Sequence, residues 1–231
     1  MKRPGRQPIF LITGTDTGVG KTVVACLIAR VLGDHGTPVS GTKPIASGSR
    51  ADAQCLRRCL GHGWSLDTIN PWFFSAPLAP ALAAARQGQR VGLPKVLQYL
   101  ARIRTISNGA TLIVEGAGGL LSPLGDNFDS RDLLRALRAI PIVVARNRLG
   151  AINQVLLAAA ALSASERKRA QYWLIAPPRL NDVSRSNLEY LRRRLGRRTV
   201  VSIPWLGSQR IDQLEISPTL RQTILAAITQ R

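Results

Sequence analysis

The segment Gly14-Thr15-Asp16-Thr17-Gly18-Val19-Gly20-Lys21-Thr22 crowds three glycines, a lysine and several hydroxyls into nine residues. It follows a short apolar run, Ile9–Thr13, and opens an apolar-periodic stretch from Lys21 to about Leu32. In a strand–loop–helix frame, the unpaired N–H groups of the loop and of the helix start converge on an anion. Glycines let that backbone approach closely, some of them at positive φ. The chemistry expected is triphosphate binding, with ATP and Mg²⁺ as cofactors. Lys21 is placed to reach the β- and γ-phosphates and the Thr22 hydroxyl to bind the metal. Thr15, Asp16, Thr17, Gly18, Val19 and Gly20 complete the set of candidate nucleotide contacts. The spacing departs from the general phosphate-loop pattern, because Thr15 stands five residues before Gly20 and the first glycine, Gly14, comes one position early. That places the loop in a deviant branch of such proteins.

A magnesium nucleotide needs acidic ligands, and the chain has only 13 acids. Glu115 ends the apolar run Thr111–Val114 and precedes Gly116-Ala117-Gly118-Gly119, a carboxylate at a strand tip beside a glycine loop. Asp52 is the second candidate, and its position equally suits a helix N-terminus. Lys43 closes another apolar run, in Gly41-Thr42-Lys43-Pro44-Ile45-Ala46-Ser47-Gly48-Ser49. A lysine beside the γ-phosphate stabilises charge that develops during phosphoryl transfer. With five lysines in all, one after each of the first two apolar runs is informative.

These residues need a scaffold, and the chain supplies one. At 231 residues and 45% hydrophobic content it fits one domain, 1–231, with a full core. Strands are expected at Ile9–Thr13, Val39–Lys43, Thr111–Glu115, Pro141–Ala145, Tyr172–Ala176 and Thr199–Ile203. Helices are expected at Lys21–Leu32, Asp52–Leu60, Pro80–Gln87, Leu93–Thr105, Ser130–Leu137, Ile152–Ser163, Arg185–Leu195 and Thr219–Thr229. Asn70–Pro80 reads as a Pro/aromatic loop. Short apolar strands alternating with helices predict an α/β, single-domain P-loop NTPase fold, a mostly parallel sheet with helices on both faces. Ligands on such sheets bind at the carboxyl ends of the strands, where every motif above falls.

Composition limits the alternatives. No apolar run approaches the ~20 residues of a membrane span. The basic start Met1–Arg6 leads into an apolar stretch too short for a signal peptide, so a cytoplasmic location is expected. Three cysteines, Cys26, Cys55 and Cys59, read as reduced thiols. A metal set of Cys55, Cys59 and His62 is not expected, because it lacks further ligands and the spacing fits one buried helix face. The net charge is +19, and it is almost all arginine. Such a balance suits an anionic partner, but the arginines are scattered. The one cluster, Arg192, Arg193, Arg194, Arg197 and Arg198, reads as a solvated helix face, so nucleic acid is not the expected partner.

Taken in order, Gly14-Thr15-Asp16-Thr17-x-Val19-Gly20-Lys21-Thr22, Lys43-Pro44-Ile45-Ala46-Ser47-Gly48, Asn70-Pro71, Val114-Glu115-Gly116-Ala117-Gly118-Gly119 with Pro123-Leu124, Leu149-Gly150-x-Ile152-Asn153 and Ile203-Pro204-Trp205-Leu206 resemble the dethiobiotin synthetase family. The resemblance implies a homodimer that closes a ureido ring at the expense of ATP, with diaminopelargonic acid and carbon dioxide as the other substrates. It puts Thr17, Lys21 and Thr22 on phosphates and Mg²⁺, Asp52 and Glu115 on the metal, and Pro204 near the nucleotide. Lys43 and Ser47 would hold a carbamate and, with Lys21, form the catalytic set. The Gly118 backbone would lie near the substrate, whose carboxylate tail would reach the helix start Gly150, Ala151, Ile152, Asn153 of the partner subunit. Two departures stand out. Gly18 replaces a frequent acid, and Pro177-Pro178-Arg179-Leu180 stands where the family reads adenine with Asn-Asp, leaving Asn181-Asp182 displaced.

Two rival readings use the same loop. A partition-type ATPase that binds nucleic acid through its basic surface would carry a signature lysine five positions before Lys21, where this chain has Asp16. An amidotransferase-like ligase of cobalamin synthesis would need a glutaminase domain, for which no room is expected after residue 231.

Overall fold

The computed structural model describes residues 7–61, 63–207 and 210–229. The basic start Met1–Arg6 and His62 therefore lie outside the described residues. Six strands form the main sheet: β1 (Ile9–Gly14), β2 (Val39–Thr42), β5 (Thr111–Glu115), β8 (Ile140–Arg146), β9 (Gln171–Ile175) and β10 (Val200–Ile203). Their order is β10-β9-β8-β1-β5-β2 and every pairing is parallel. The middle strands are continuous apolar runs because both faces are covered. Side chains alternate along them. Leu11, Leu112, Val114, Val143 and Leu174 enter one core. Phe10, Ile12, Ile113, Val144 and Trp173 enter the other.

The first core is closed by α5 (Leu93–Ile106), α6 (Ser130–Leu137), α7 (Ala151–Ala161) and α9 (Asp182–Leu195), through residues such as Leu100, Leu133, Val155 and Leu191. The second is closed by α1 (Lys21–Asp34), α2 (Ala51–Cys59) and α10 (Pro218–Thr229), through Leu27, Ile28, Leu56 and Ile224. The expected two-faced α/β architecture is thus present.

The sheet reverses direction of winding around β1, which has β5 on one side and β8 on the other. Such a switch point leaves a crevice at the carboxyl ends of the strands. Register fixes what faces it: Ile12 of β1 lies beside Glu115 of β5, and Thr13 beside Val143 of β8.

The differences from expectation are small elements. Within the expected loop, β4 (Trp72–Phe74) pairs in parallel with β3 (Ile45–Ser47), and the helical turn α3 (Leu66–Ile69) precedes it. A hairpin of β6 (Pro123–Gly125) and β7 (Phe128–Asp129) follows the glycine loop. The helix α4 (Pro80–Arg86) stands where it was expected, whereas α8 (Ala164–Arg169), started by a Ser163–Glu166 capping box, was not. Three-residue strands carry no periodicity, so only tertiary pairing reveals them. Helix α9 begins three residues before the expected Arg185 because Asn181 caps it, its side chain accepting from Ser184 N.

Candidate active site

Strand β1 delivers Gly14 to the crevice, and the chain turns back into α1 through Gly18 and Gly20, with φ of 70° and 102°. Gly20 is the N-cap of α1 in the left-handed region, where a side chain is strained. A Cβ there would also sit 3.0 Å from Ile175 Cγ1, so the loop is seated against the end of β9. The result is a helix start with no side-chain cap, its N–H groups left for an anion. Asp16 folds back, its carboxylate accepting from Thr17 N at 2.6 Å. Val19 is buried beneath the loop, and Thr15 is tied by its N–H to Val144 O at 2.9 Å.

Lys21, the first residue of α1, is buried, and its ammonium donates to the Asp16 carbonyl at 2.8 Å. Burial and the nearby Lys43 lower its pKa to about 8. Four further groups from separate elements converge beside it. Glu115, at the tip of β5, is buried and accepts at one oxygen from Thr22 Oγ1 and from Lys43 Nζ, each at 2.7 Å. Lys43, just past β2, also donates to Asp52 Oδ2 at 2.8 Å. Burial pushes the Glu115 carboxyl up, against the pull of Lys43. Burial opposes the charge on Lys43, but Glu115 and Asp52 outweigh it and raise its pKa. Asp52, half exposed at 52%, pays a smaller desolvation cost that Lys43 overcomes, holding its carboxyl below the usual range.

The second oxygen of Glu115 is buried without a hydrogen-bond partner. An orphaned carboxylate oxygen is costly unless something fills it. With the Thr22 hydroxyl and Asp52 beside it, the donor set is all oxygen, the chemistry of a hard divalent cation such as Mg²⁺.

One cavity of about 570 Å³ joins these residues to the rest of the expected site. Its walls include Thr17, Lys21, Thr22, Lys43, Ser47, Asp52 and Gly118, with Pro77 to Pro80 opposite. Ser47 Oγ donates to Leu78 O at 2.6 Å, which closes that side. Gly118 has φ of 65°, and a Cβ there would lie 2.4 Å from Ser122 Oγ, so the glycine loop leaves backbone facing the cavity. Ser122, absent from the sequence expectations, accepts from Gly119 N at 2.8 Å and also lines the cavity. Ser49 does likewise. Ser49 follows Gly48 directly and Ser122 comes three residues after Gly119, and that proximity was the only signal. Arg146, at the end of β8, reaches the phosphate loop and donates to Gly18 O at 3.0 Å; nothing in the sequence pointed to it.

Two expected groups are not brought to this cavity. Pro204 follows β10 and is exposed outside it. Gly150, Ala151, Ile152 and Asn153 open α7 elsewhere on the surface, with Gly150 as a left-handed N-cap and no side-chain cap. The displaced Asn181 is committed to capping α9, and Asp182 pairs with Arg185 at 2.9 Å. A second cleft, of about 510 Å³ and lined by Asp126, Asp129 and Asp132, holds of the motif residues only Pro123.

Comparison with known proteins agrees with this geometry. An AAA domain family model matches residues 9–209. The chain is 36% identical over 210 residues to the ATP-dependent dethiobiotin synthetase BioD of Xanthomonas oryzae pv. oryzae (strain PXO99A), covering 87% of this chain and 92% of that one. It is 44% identical over 157 residues to the protein of the same name from Anaeromyxobacter dehalogenans (strain 2CP-C), covering 66% and 70%. Among solved structures, it is similar to the MinC:MinD cell division protein complex of Aquifex aeolicus, with a TM-score of 0.60 at 15% identity over 96% of this chain and 93% of that one. A ParA family ATPase from Chlorobium tepidum TLS gives a TM-score of 0.53 at 13% identity, covering 96% and 92%. These two likenesses concern the fold alone. Sequence identity over nearly the full length is the stronger finding, and it agrees with the cavity's residues: the chain belongs to the ATP-dependent dethiobiotin synthetase family.

Proposed function

We propose that this chain is an ATP-dependent ligase that closes the ureido ring of dethiobiotin from diaminopelargonic acid and carbon dioxide. The observation that carries the reading is the convergence of Lys21, Thr22, Lys43 and Asp52 on one cavity at the end of β1, with Glu115 buried behind them and bonded to Thr22 and Lys43. One amine of the diamine takes up carbon dioxide as a carbamate, which Lys43 and Ser47 hold against the phosphate loop. A carbamate oxygen attacks the γ-phosphorus and ADP leaves. Lys21 and the loop N–H groups stabilise the charge that spreads over the transferring oxygens. The second amine then attacks the carbonyl carbon of the mixed anhydride. The carbon–nitrogen bond closes the ring and phosphate departs.

Thr22, Asp52 and Glu115 would hold Mg²⁺, which when bound neutralises charge on the β- and γ-phosphates. The backbone at Gly118 lets the substrate lie close. Gly150 to Asn153 do not line this cavity, and in this reading they serve it from a second copy. The reading is therefore a homodimer with shared sites, in which the uncapped start of α7 receives the substrate carboxylate. Leu149, 85% exposed just before that helix, and Leu157, 62% exposed along it, are apolar groups suited to burial between copies.

The Asp16 position and the near full-length relatives argue against the partition-type alternative. The deciding measurement is phosphate release from ATP with diaminopelargonic acid and bicarbonate present or withheld. Release should need all three substrates and fall at least ~100-fold in Lys21→Ala, the loss of a charge-stabilising contact. Release that ignores the diamine would overturn the ligase assignment.

A further inference from the structure

The second turn of α1 and the face of α2 opposite it bring together the three cysteines of the chain. Cys26 lies one turn after Thr22 and is fully buried. Cys55 and Cys59, four residues apart on α2, share one face and are half-buried. The Cys26 and Cys55 sulfurs are 3.6 Å apart, and all three lie within 4.8 Å of one another. In sequence the trio was invisible, because Cys26 is 29 residues from Cys55. None of the three lines the cavity.

We infer that Cys26, Cys55 and Cys59 form a three-thiolate site for a soft d¹⁰ cation of the Cu(I) class. Thiolate is the ligand that selects such cations over Mg²⁺. Metal–thiolate bonds of about 2.3 Å would set sulfurs about 3.8–4.0 Å apart, within the spread observed here. The cluster already favours ionisation at one member. Hydrogen bonds from Cys26 and Cys59, with the Arg58 guanidinium adding to them, hold the Cys55 thiol well below the usual thiol range. The hydrogen bond with Cys55 and burial push the Cys26 thiol up. Coordination would release the remaining thiol protons to the buffer. Arg58 and Arg210 both pair with Asp212, at 3.3 and 2.6 Å, so beside Cys55 two guanidiniums stand against one carboxylate, and Arg58 favours the thiolate while Asp212 opposes it.

Three soft ligands with no fourth among the described residues suit a three-coordinate ion better than tetrahedral zinc. A bound cation would clamp α1 to α2 beneath Thr22 and Asp52, independently of the nucleotide.

The test uses reduced, full-length protein titrated anaerobically with Cu(I) against a chromophoric Cu(I) chelator, in excess Mg²⁺. The expected result is one equivalent taken from the chelator, with all three thiols protected from alkylation. Cys59→Ala, a half-buried position, should keep the fold by circular dichroism and lose at least tenfold in Cu(I) affinity. Cys55→Ser should do the same, whereas Cys26→Ser alone tests a fully buried position and is read only if folded. X-ray absorption should show sulfur as the sole near neighbour of copper. Copper left with the chelator, a Cys59→Ala variant that binds like the parent, or a Cys26–Cys55 disulfide as the only product would each overturn the site.

Discussion

Lys21, Lys43, Asp52 and Glu115 crowd together at the end of β1, so the protonation of each depends on the others. Lys21 is the sensitive one. Burial and Lys43 bring it to about 8, below its ordinary 10.5. The folded protein therefore binds fewer protons here than the unfolded chain between about pH 8 and 10.5, and this group makes stability rise with pH in that window. A bound triphosphate reverses the balance, because its charge favours the ammonium. ATP binding above about pH 8 should then take up a proton and weaken as pH climbs. Calorimetry at pH 8.5 in two buffers of different ionisation enthalpy reads this directly. Lys21→Arg, which does not titrate there, should abolish the difference; buffer-independent heats for the parent would refute the mechanism. Glu115 makes the second residue-scale prediction. Its orphaned oxygen and buried position suit a metal ligand, and Glu115→Gln keeps the shape while removing the charge. Half-maximal activity should need at least ~10-fold more Mg²⁺ with the melting temperature little changed, since Lys43 retains Asp52. Superimposable Mg²⁺ titrations would make Glu115 merely structural.

At the scale of elements, the turn after β1 presents an uncapped helix start suited to phosphates, whereas the turn after β9 offers fewer donors to a base. Pro177-Pro178 offers no N–H, and Asn181, the nearest amide side chain, is spent on the α9 cap with its partner Ser184. A site that only cradles a base rejects analogues weakly, while one that hydrogen-bonds it rejects them strongly. Rates with ATP, GTP and CTP should therefore differ by less than about tenfold in kcat/KM. A preference of a thousandfold for ATP would mean that other groups restore the contact. This element also shows what the sequence made legible. Six strands and the longer helices between them were readable because each is an apolar run or a 3.6-residue pattern, and the catalytic motifs sit at their ends; the short α3 and α8 were not. The β3–β4 and β6–β7 pairs were not, since three residues carry no period and their partners lie 20 or more positions away or across a bulge. Arg146 and the Cys26–Cys55–Cys59 cluster escaped for the same reason: the fold, not the spacing, makes them neighbours.

At the scale of the whole molecule, the question is what completes the site and what the +19 charge serves. Part of the charge is accounted for locally. Arg192, Arg193 and Arg194 sit in the last turn of α9, where cations complement the helix dipole; Arg193 pairs with Glu189 at 3.2 Å and Arg192 donates to Val200 O. Arg148 is different. It is exposed, two residues before Gly150, the uncapped start of α7, and next to the exposed Leu149. In the proposed dimer this start of α7 enters the partner's cavity, where a carboxylate would meet both the free N–H groups and the guanidinium. Arg148→Glu reverses the charge without touching the phosphate loop. It should raise KM for diaminopelargonic acid by roughly tenfold or more, the cost of replacing attraction by repulsion at one charged contact, and leave KM for ATP within about twofold. Sizing of parent and variant is the control, because a dimer that dissociates would raise both constants. An intact dimer with an unchanged KM for the diamine would remove Arg148 from the shared site. A parent that sizes as a monomer yet turns over fully would remove the shared site itself.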